Sequence, residues 1–320
     1  VPTSVCRAKS PEGEFLRLAG IDKHWVTSNG YMSCVSPGGK YLGPTAAKAL
    51  EAFLKLPEDE RKPGAVTVPD LMPSEELIPA PPAGGLVLKV HARFLSADDK
   101  GELRYAKPED FPLMEKSAES RNPWQLFLQP NTEYMWLTRE EWRALVPANP
   151  VQGEKVAVAP VIVERMARFH LTPRRAMTSE DGIQKKEAIK SARLTLVVED
   201  VSAERIRMVL EGFVHTGTEF DAAQASTPNG PLGFGFATPL RGLLEYDRTK
   251  NVFTRFDIAA PGEVWGRWGD ANGKSLFAER PGRTPFGFAF EMAQGDSPSN
   301  RLPPGGNGQR AETAGYFTRP

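Results

Sequence analysis

Cysteine is nearly missing from this chain: Cys6 and Cys34 are the only two in 320 residues. A framework of several disulfides is therefore excluded as the source of stability, and burial of apolar surface has to supply it. Histidine is almost as scarce. His24, His91, His170 and His215 show no HxH, HxxxH or HExxH spacing, so no single helix or strand offers two imidazoles to one metal. An excess of either charge is absent as well, with Lys+Arg and Asp+Glu both at 40. A chain with no net field has no means of recruiting a polyanion, which speaks against nucleic acid as a partner. No run of 18 apolar residues occurs, so no membrane-spanning helix is expected. The G-x-S-x-G elbow, the G-x-x-x-x-G-K-[ST] phosphate loop and the G-x-G-x-x-G turn are all missing, and with them the sequence signatures of those chemistries.

What the sequence does contain is period two. In ARLTLVVE, residues Ala192, Leu194, Leu196 and Val198 alternate with polar neighbours, and in RIRMVLEG the inward set is Ile206, Met208 and Leu210. LRGLLEYD, the turn RTKN and VFTRFDIA read as a hairpin. Leu240, Leu244 and Tyr246 share one face, and Val252, Thr254, Phe256 and Ile258 share a face of the return strand. FGFAFEM places Phe286, Phe288, Phe290 and Met292 together. Strands sharing one apolar face have to curl or stack to keep it dry, which predicts a barrel or a sandwich. Upstream, LVLKVHARFL, the Asp/Gly turn after Ser96 and ELRYA form another hairpin. TREEWRAL is a short helix with Thr138 and Glu141 placed for a capping box. VAPVIVERMARFHL carries no decisive period.

The expected fold class is α+β, in four parts. Residues 1–60 form a small α/β lobe: a short helix at EGEFLRLAGI, a strand at YMSCVS, a PGGK turn, a strand at YLG, and a helix whose stripe is Ala46, Ala49, Leu50, Phe53, Leu54 and Leu56. Residues 61–85 are a Pro-rich linker, because proline supplies neither helix nor ladder donors. Residues 86–292 are the antiparallel β body, and residues 293–320 a Gly/Pro-rich tail. A segment of that composition is ordered only if it packs along its own domain or is clasped by a neighbouring chain.

From Trp25 to Leu56 the order strand, Pro-Gly-Gly turn, strand and terminal amphipathic helix resembles the last ββα unit of thioredoxin-like proteins. That resemblance implies a thioredoxin-like lobe in which Cys6-Arg7 stands near the family's Cys-x-x-Cys-Arg. The second motif cysteine and a proline before the YMSCVS strand are missing, which argues for a degenerate copy. On the residues alone, Cys6 and Cys34 are a disulfide in an oxidising compartment, two thiols, or ligands of a shared metal.

The remaining candidates are weaker in pattern. His24 and Met32 with the two cysteines could form a soft metal site, and Asp270 and Asn272 have a passing likeness to a calcium loop. Trp265 and Trp268 are the best pair for stacking on a ligand. Glu245, Asp247, Asp257, Glu263 and Glu291, with Arg241, Arg255 and Arg267, would line a pocket mouth if they point inward and form cross-strand charge pairs if they point out. No cofactor is expected. The reading that follows is an extracytoplasmic, non-catalytic binding or structural module that makes protein contacts, with another protein or with its own copies, through the β body and tail. Chain start at Val1-Pro2 fits removal of an export signal. Two alternatives stand beside it: a thiol-dependent redox or metal-handling protein using Cys6 and Cys34, and an enzyme or ligand carrier with its pocket inside the barrel.

Overall fold

The computed structural model describes residues 14, 17–18, 34–43, 45–62, 80–110, 128–173, 183–222, 233–267, 282–295, 300, 302–304 and 316–317. The chain divides into two compact units between Ala80 and Pro81.

In the first unit, β1 (Cys34–Val35) pairs antiparallel with β2 (Tyr41–Gly43) across the Pro-Gly-Gly turn, and α1 (Ala46–Leu54) follows. Of the helix's expected apolar stripe, Ala49 is buried, whereas Leu50 and Leu54 are exposed. Lys40 Nζ and Glu60 are ion-paired at 2.7 Å.

The second unit is built on one nine-stranded antiparallel sheet. Its strands are β3 (Leu86–Ala97), β4 (Leu103–Tyr105), β5 (Asn131–Leu137), β6 (Lys155–Ala157), β7 (Ile189–Val201), β8 (Arg205–Gly217), β9 (Gly233–Asp247), β10 (Val252–Arg267) and β11 (Thr284–Met292). Spatial order runs β4, β3, β11, β10, β9, β8, β7, β6, and β5 also pairs with β3. Strands β7 to β11 are a meander of long hairpins, and β3 returns to lie beside β11. The helical segments are α2 (Arg139–Arg143) and α3 (Pro160–Arg165), the latter continued by a π turn over Met166–His170.

Period two decides which side chains go in. Leu194, Leu196 and Val198 on β7, Ile206, Met208, Leu210 and Val214 on β8, Leu240, Leu244 and Tyr246 on β9, and Phe286, Phe288 and Phe290 on β11 are all buried. They belong to a single core cluster with Leu88, Val90 and Phe94 of β3 and with Ile162, Val163 and Met166 of the α3 segment. Strands about 4.8 Å apart make this sheet far wider than helices of five and six residues can cover, so one continuous core requires the sheet to curl around them.

Among the described residues the sheet does not close into a barrel, which corrects the expectation of a closed one. The strand order is linear: β6 forms one margin, β4 and β5 the other, and among the described residues these margins are not paired with each other. The helices occupy the inside of the curl. A second correction concerns β10. A bulge between Phe253 and Arg255 shifts its register against β9, so Phe253 and Phe256 both turn inward while Val252 and Thr254 face out. One inserted residue reverses the parity of everything before it.

Curvature has visible local causes. The pairing of β9 with β10 skips from Ala259↔Arg241 to Glu263↔Ala237, and the skipped stretch holds Pro239 and Pro261, neither of which has an N–H to donate. On the inner side of the same stretch, a Cβ at Gly262 would stand 2.6 Å from the Ala237 carbonyl oxygen and 2.7 Å from the Phe236 ring. Because that Cβ is missing, Phe236 of β9 reaches over β10 to meet Phe288 and Phe286 of β11 edge-on, at 5.3 and 6.4 Å. Gly262→Ala should therefore destabilise the body by about 1–3 kcal/mol through overpacking. Denaturant titration checks it, and a midpoint equal to the parent's would remove this explanation of the curl.

Candidate functional site

Where β5 meets the end of α3, five polar side chains converge inside the protein. Glu133 lies on β5 opposite Val90 of β3, which turns its carboxylate to the inner face. His170 closes the π turn and has no exposed surface. Its Nδ1 is 2.9 Å from Glu133 Oε1, and its Nε2 is 2.5 Å from the phenol oxygen of Tyr316, which arrives from the C-terminal segment. Tyr316 is itself 2% exposed. One donor order fits both contacts: the phenol O–H donates to Nε2, and Nδ1–H to the carboxylate.

Beside this relay, Arg165 holds Glu141 with both ends of its guanidinium, Nη1 to Oε2 at 2.7 Å and Nη2 to Oε1 at 2.6 Å. Its Nε donates to the Tyr316 carbonyl at 3.1 Å. The same guanidinium carbon lies 4.9 Å from the Tyr316 ring centre and 4.8 Å from that of Phe317. Glu141 has a second duty, accepting from Thr138 N–H at 2.9 Å while Thr138 Oγ1 accepts from Glu141 N–H at 3.2 Å, so the expected capping box is present. Trp136, Phe169 and Tyr316 form the apolar wall, with Val87, Ile183 and Phe317 against it. Burial is the main reason the Tyr316 phenol is pushed well above its usual range.

Glu, His and a hydroxyl in line have the order of a nucleophilic relay. Among the described residues the phenol, the imidazole and the carboxylate are all enclosed by protein. The arrangement ties Tyr316 to β5 and to the α3 segment.

A second polar group lies on the outer face. Lys89, Arg255, Asp257 and Glu291 line a trough of about 310 Å³ with Thr254, Phe256, Met292 and Gln294. Glu291 lies between Lys89 Nζ at 3.7 Å and His91 Nε2 at 3.4 Å, and His91 Nδ1 is 2.8 Å from Thr132 Oγ1. Arg255 pairs with Asp257 at 2.6 Å, Arg207 with Glu245 at 3.3 Å, and Arg283 with Glu263 at 3.1 Å. These are cross-strand and same-strand charge pairs on the solvent side, not the lining of an interior pocket. Asp247 caps its turn, accepting from Thr249 and Lys250 N–H, which lowers its carboxyl pKa.

Trp265 is buried, donates from Nε1 to the Thr218 carbonyl at 3.0 Å, and packs against His215, Phe220 and Arg283. A Cβ at Gly235 would lie 2.4 Å from its indole, which explains the glycine of the Gly-Phe-Gly-Phe run. Cys34 stands half-buried on β1. Cys6, His24, Met32, Trp268, Asp270 and Asn272 lie outside the described residues, as does any bond between Cys6 and Cys34. Among the described residues no three His, Cys, Asp or Glu side chains are grouped to hold a metal, and no helix is long and apolar enough to cross a membrane.

The buried cluster was not foreseen from sequence. Its members are spread over more than half the chain, at 133, 141, 165, 170 and 316, and no spacing rule joins them. One signal was readable: Arg165 and His170 interrupt the apolar run of the α3 segment, where an unneeded charge would be costly. The chain matches no protein-family model, no curated protein and no solved structure.

Proposed function

We propose that the protein is a non-catalytic binding or structural module, acting outside the cytoplasm, whose β body makes contact with another protein through its outer face. The observation that carries this reading is how the body divides its polar groups. The acid, base and hydroxyl that could do chemistry are enclosed and hold the chain together. The outer face is open, and sets the mixed-charge trough beside exposed Ala259, Pro261, Pro239, Ala289 and Leu243 on three adjoining strands. Small and apolar residues ringed by charge are the make-up of a protein contact. The ββα order of residues 34–54 supports a thioredoxin-like ancestry for the first unit.

The test is site-specific cross-linking. A photoreactive residue at Ala289 should give a discrete covalent adduct in cells that make the protein, and Glu291→Lys should abolish that adduct while leaving the circular dichroism unchanged. Adducts from Thr132 or Glu211 variants alone, with none at Ala289 or Ala259, would move the contact elsewhere and sink the proposal.

A further inference from the structure

The segment Tyr316–Phe317 occupies a slot whose walls are built without it. The hydrogen bonds from Arg165 to Glu141 and from His170 to Glu133 join α2, α3 and β5 to one another, and Thr138 with Glu141 fixes the start of α2. Trp136 and Phe169 belong to the same frame. The polar groups that receive the tail are thus oriented by the body, as in a preformed binding site.

Each part of the occupant is read separately. The phenol oxygen meets His170 Nε2 at the bottom of the slot. The ring stands edge-on to Phe169, with centroids 5.0 Å apart, and lies beside the Arg165 guanidinium. The carbonyl of the same residue accepts from Arg165 Nε, and the aromatic ring that follows takes the other contact with that guanidinium. This specifies a tyrosine, in peptide linkage, followed by an aromatic residue. Phenylalanine in the first position would bring no hydroxyl to a buried imidazole, a loss that hydrogen-bonding sites punish more heavily than a missing methylene. The wall also holds one further donor: Trp136 Nε1 is buried and meets no hydrogen-bond acceptor among the described residues.

We propose that this slot is a peptide-binding site selective for a Tyr–aromatic sequence, filled in cis by Tyr316–Phe317 and able to take the same sequence from a second copy of the chain. Because the resident pair belongs to the same chain, its binding is intramolecular, so exchange becomes visible only when that connection is cut or the resident pair weakened.

The experiment uses the whole chain with a protease site placed in residues 305–309, cleaved after folding. The cut tail should remain with the body on gel filtration. A fluorescent peptide of residues 312–320 should then replace it saturably, and the same peptide carrying Tyr316→Phe should compete roughly tenfold less well or worse, the ratio that one buried hydrogen bond of about 1.4 kcal/mol gives. Equal competition by the two peptides, or loss of the cut tail with no peptide uptake by a folded body, overturns the proposal. If the cut protein loses its fold, the uncut Phe317→Ser chain serves instead. Uptake of labelled peptide supports the site, and a folded protein that takes none in large excess overturns it.

Discussion

Tyr316→Ala should lower the thermal midpoint of the β body by on the order of 10 °C. Removing a buried aromatic ring costs about 3–5 kcal/mol, and for a unit of this size each kcal/mol moves the midpoint by about 2–4 °C. Here the ring is enclosed between Phe169, Trp136 and Arg165, and its hydroxyl and carbonyl are both hydrogen-bonded. Tyr316→Phe separates the two contributions: it keeps the ring and should cost about 1–3 kcal/mol. The pair of variants also fixes a pH dependence. A phenol whose pKa is raised in the folded state holds its proton there while the unfolded chain releases it, so its contribution is complete below the ordinary value of 10.0 and is lost as pH rises beyond that. The parent should therefore lose stability above about pH 10 more steeply than Tyr316→Phe, measured as denaturation midpoint against pH. Superimposable alkaline profiles would mean that the phenol is not held as described.

The second large effect belongs to Arg165, whose side chain is 3% exposed against 15% for Glu141. Arg165→Met should cost about 3–5 kcal/mol, because it leaves a mostly buried carboxylate without its cation and takes the donor from the Tyr316 carbonyl. Lysine is not a rescue here, since a point charge cannot make the two-pronged contact and the side donation together. Glu141→Gln is the informative partner. Glutamine can still close the capping box with Thr138, so its cost reports the ion pair more than the helix start. In a double-mutant cycle, Arg165→Met with Glu141→Gln should recover part of the single-mutant loss. Strict additivity in denaturant titration would show that the two side chains do not depend on each other.

How much of this could be read in advance varied with the range of the interactions. Alternation in β7, β8, β9 and β11 was legible because each strand repeats in and out every two residues, and burial confirms that phase. The capping box was legible because it closes within four residues. The parity of β10 was not. VFTRFDIA reads as one unbroken alternation, and only the pairing with β9 reveals the bulge that brings Phe253 inward. Closure was misjudged for the same reason. Nothing in an individual strand says whether the first and last of a meander will meet, and here helices pack on the inner face while the margins show no pairing among the described residues. The α3 segment was ambiguous because Arg165 and His170 are buried along with its apolar residues, which blurs any polar stripe, and because its last turn is a π turn.

The Gly/Pro-rich tail shows the division most sharply. Its composition set two outcomes, packing on its own body or being clasped by a neighbour, and the described Tyr316 and Phe317 take the first. By itself the sequence determined an antiparallel body with one buried face, and a helix start at Thr138, since those follow from local periodicity and from bonds between residues close in the chain. Tertiary structure alone decided that the sheet margins show no pairing among the described residues and that Glu133, Glu141, Arg165, His170 and Tyr316 meet. Such a meeting depends on how four separate segments are brought together in space, and distance along the chain carries no record of that.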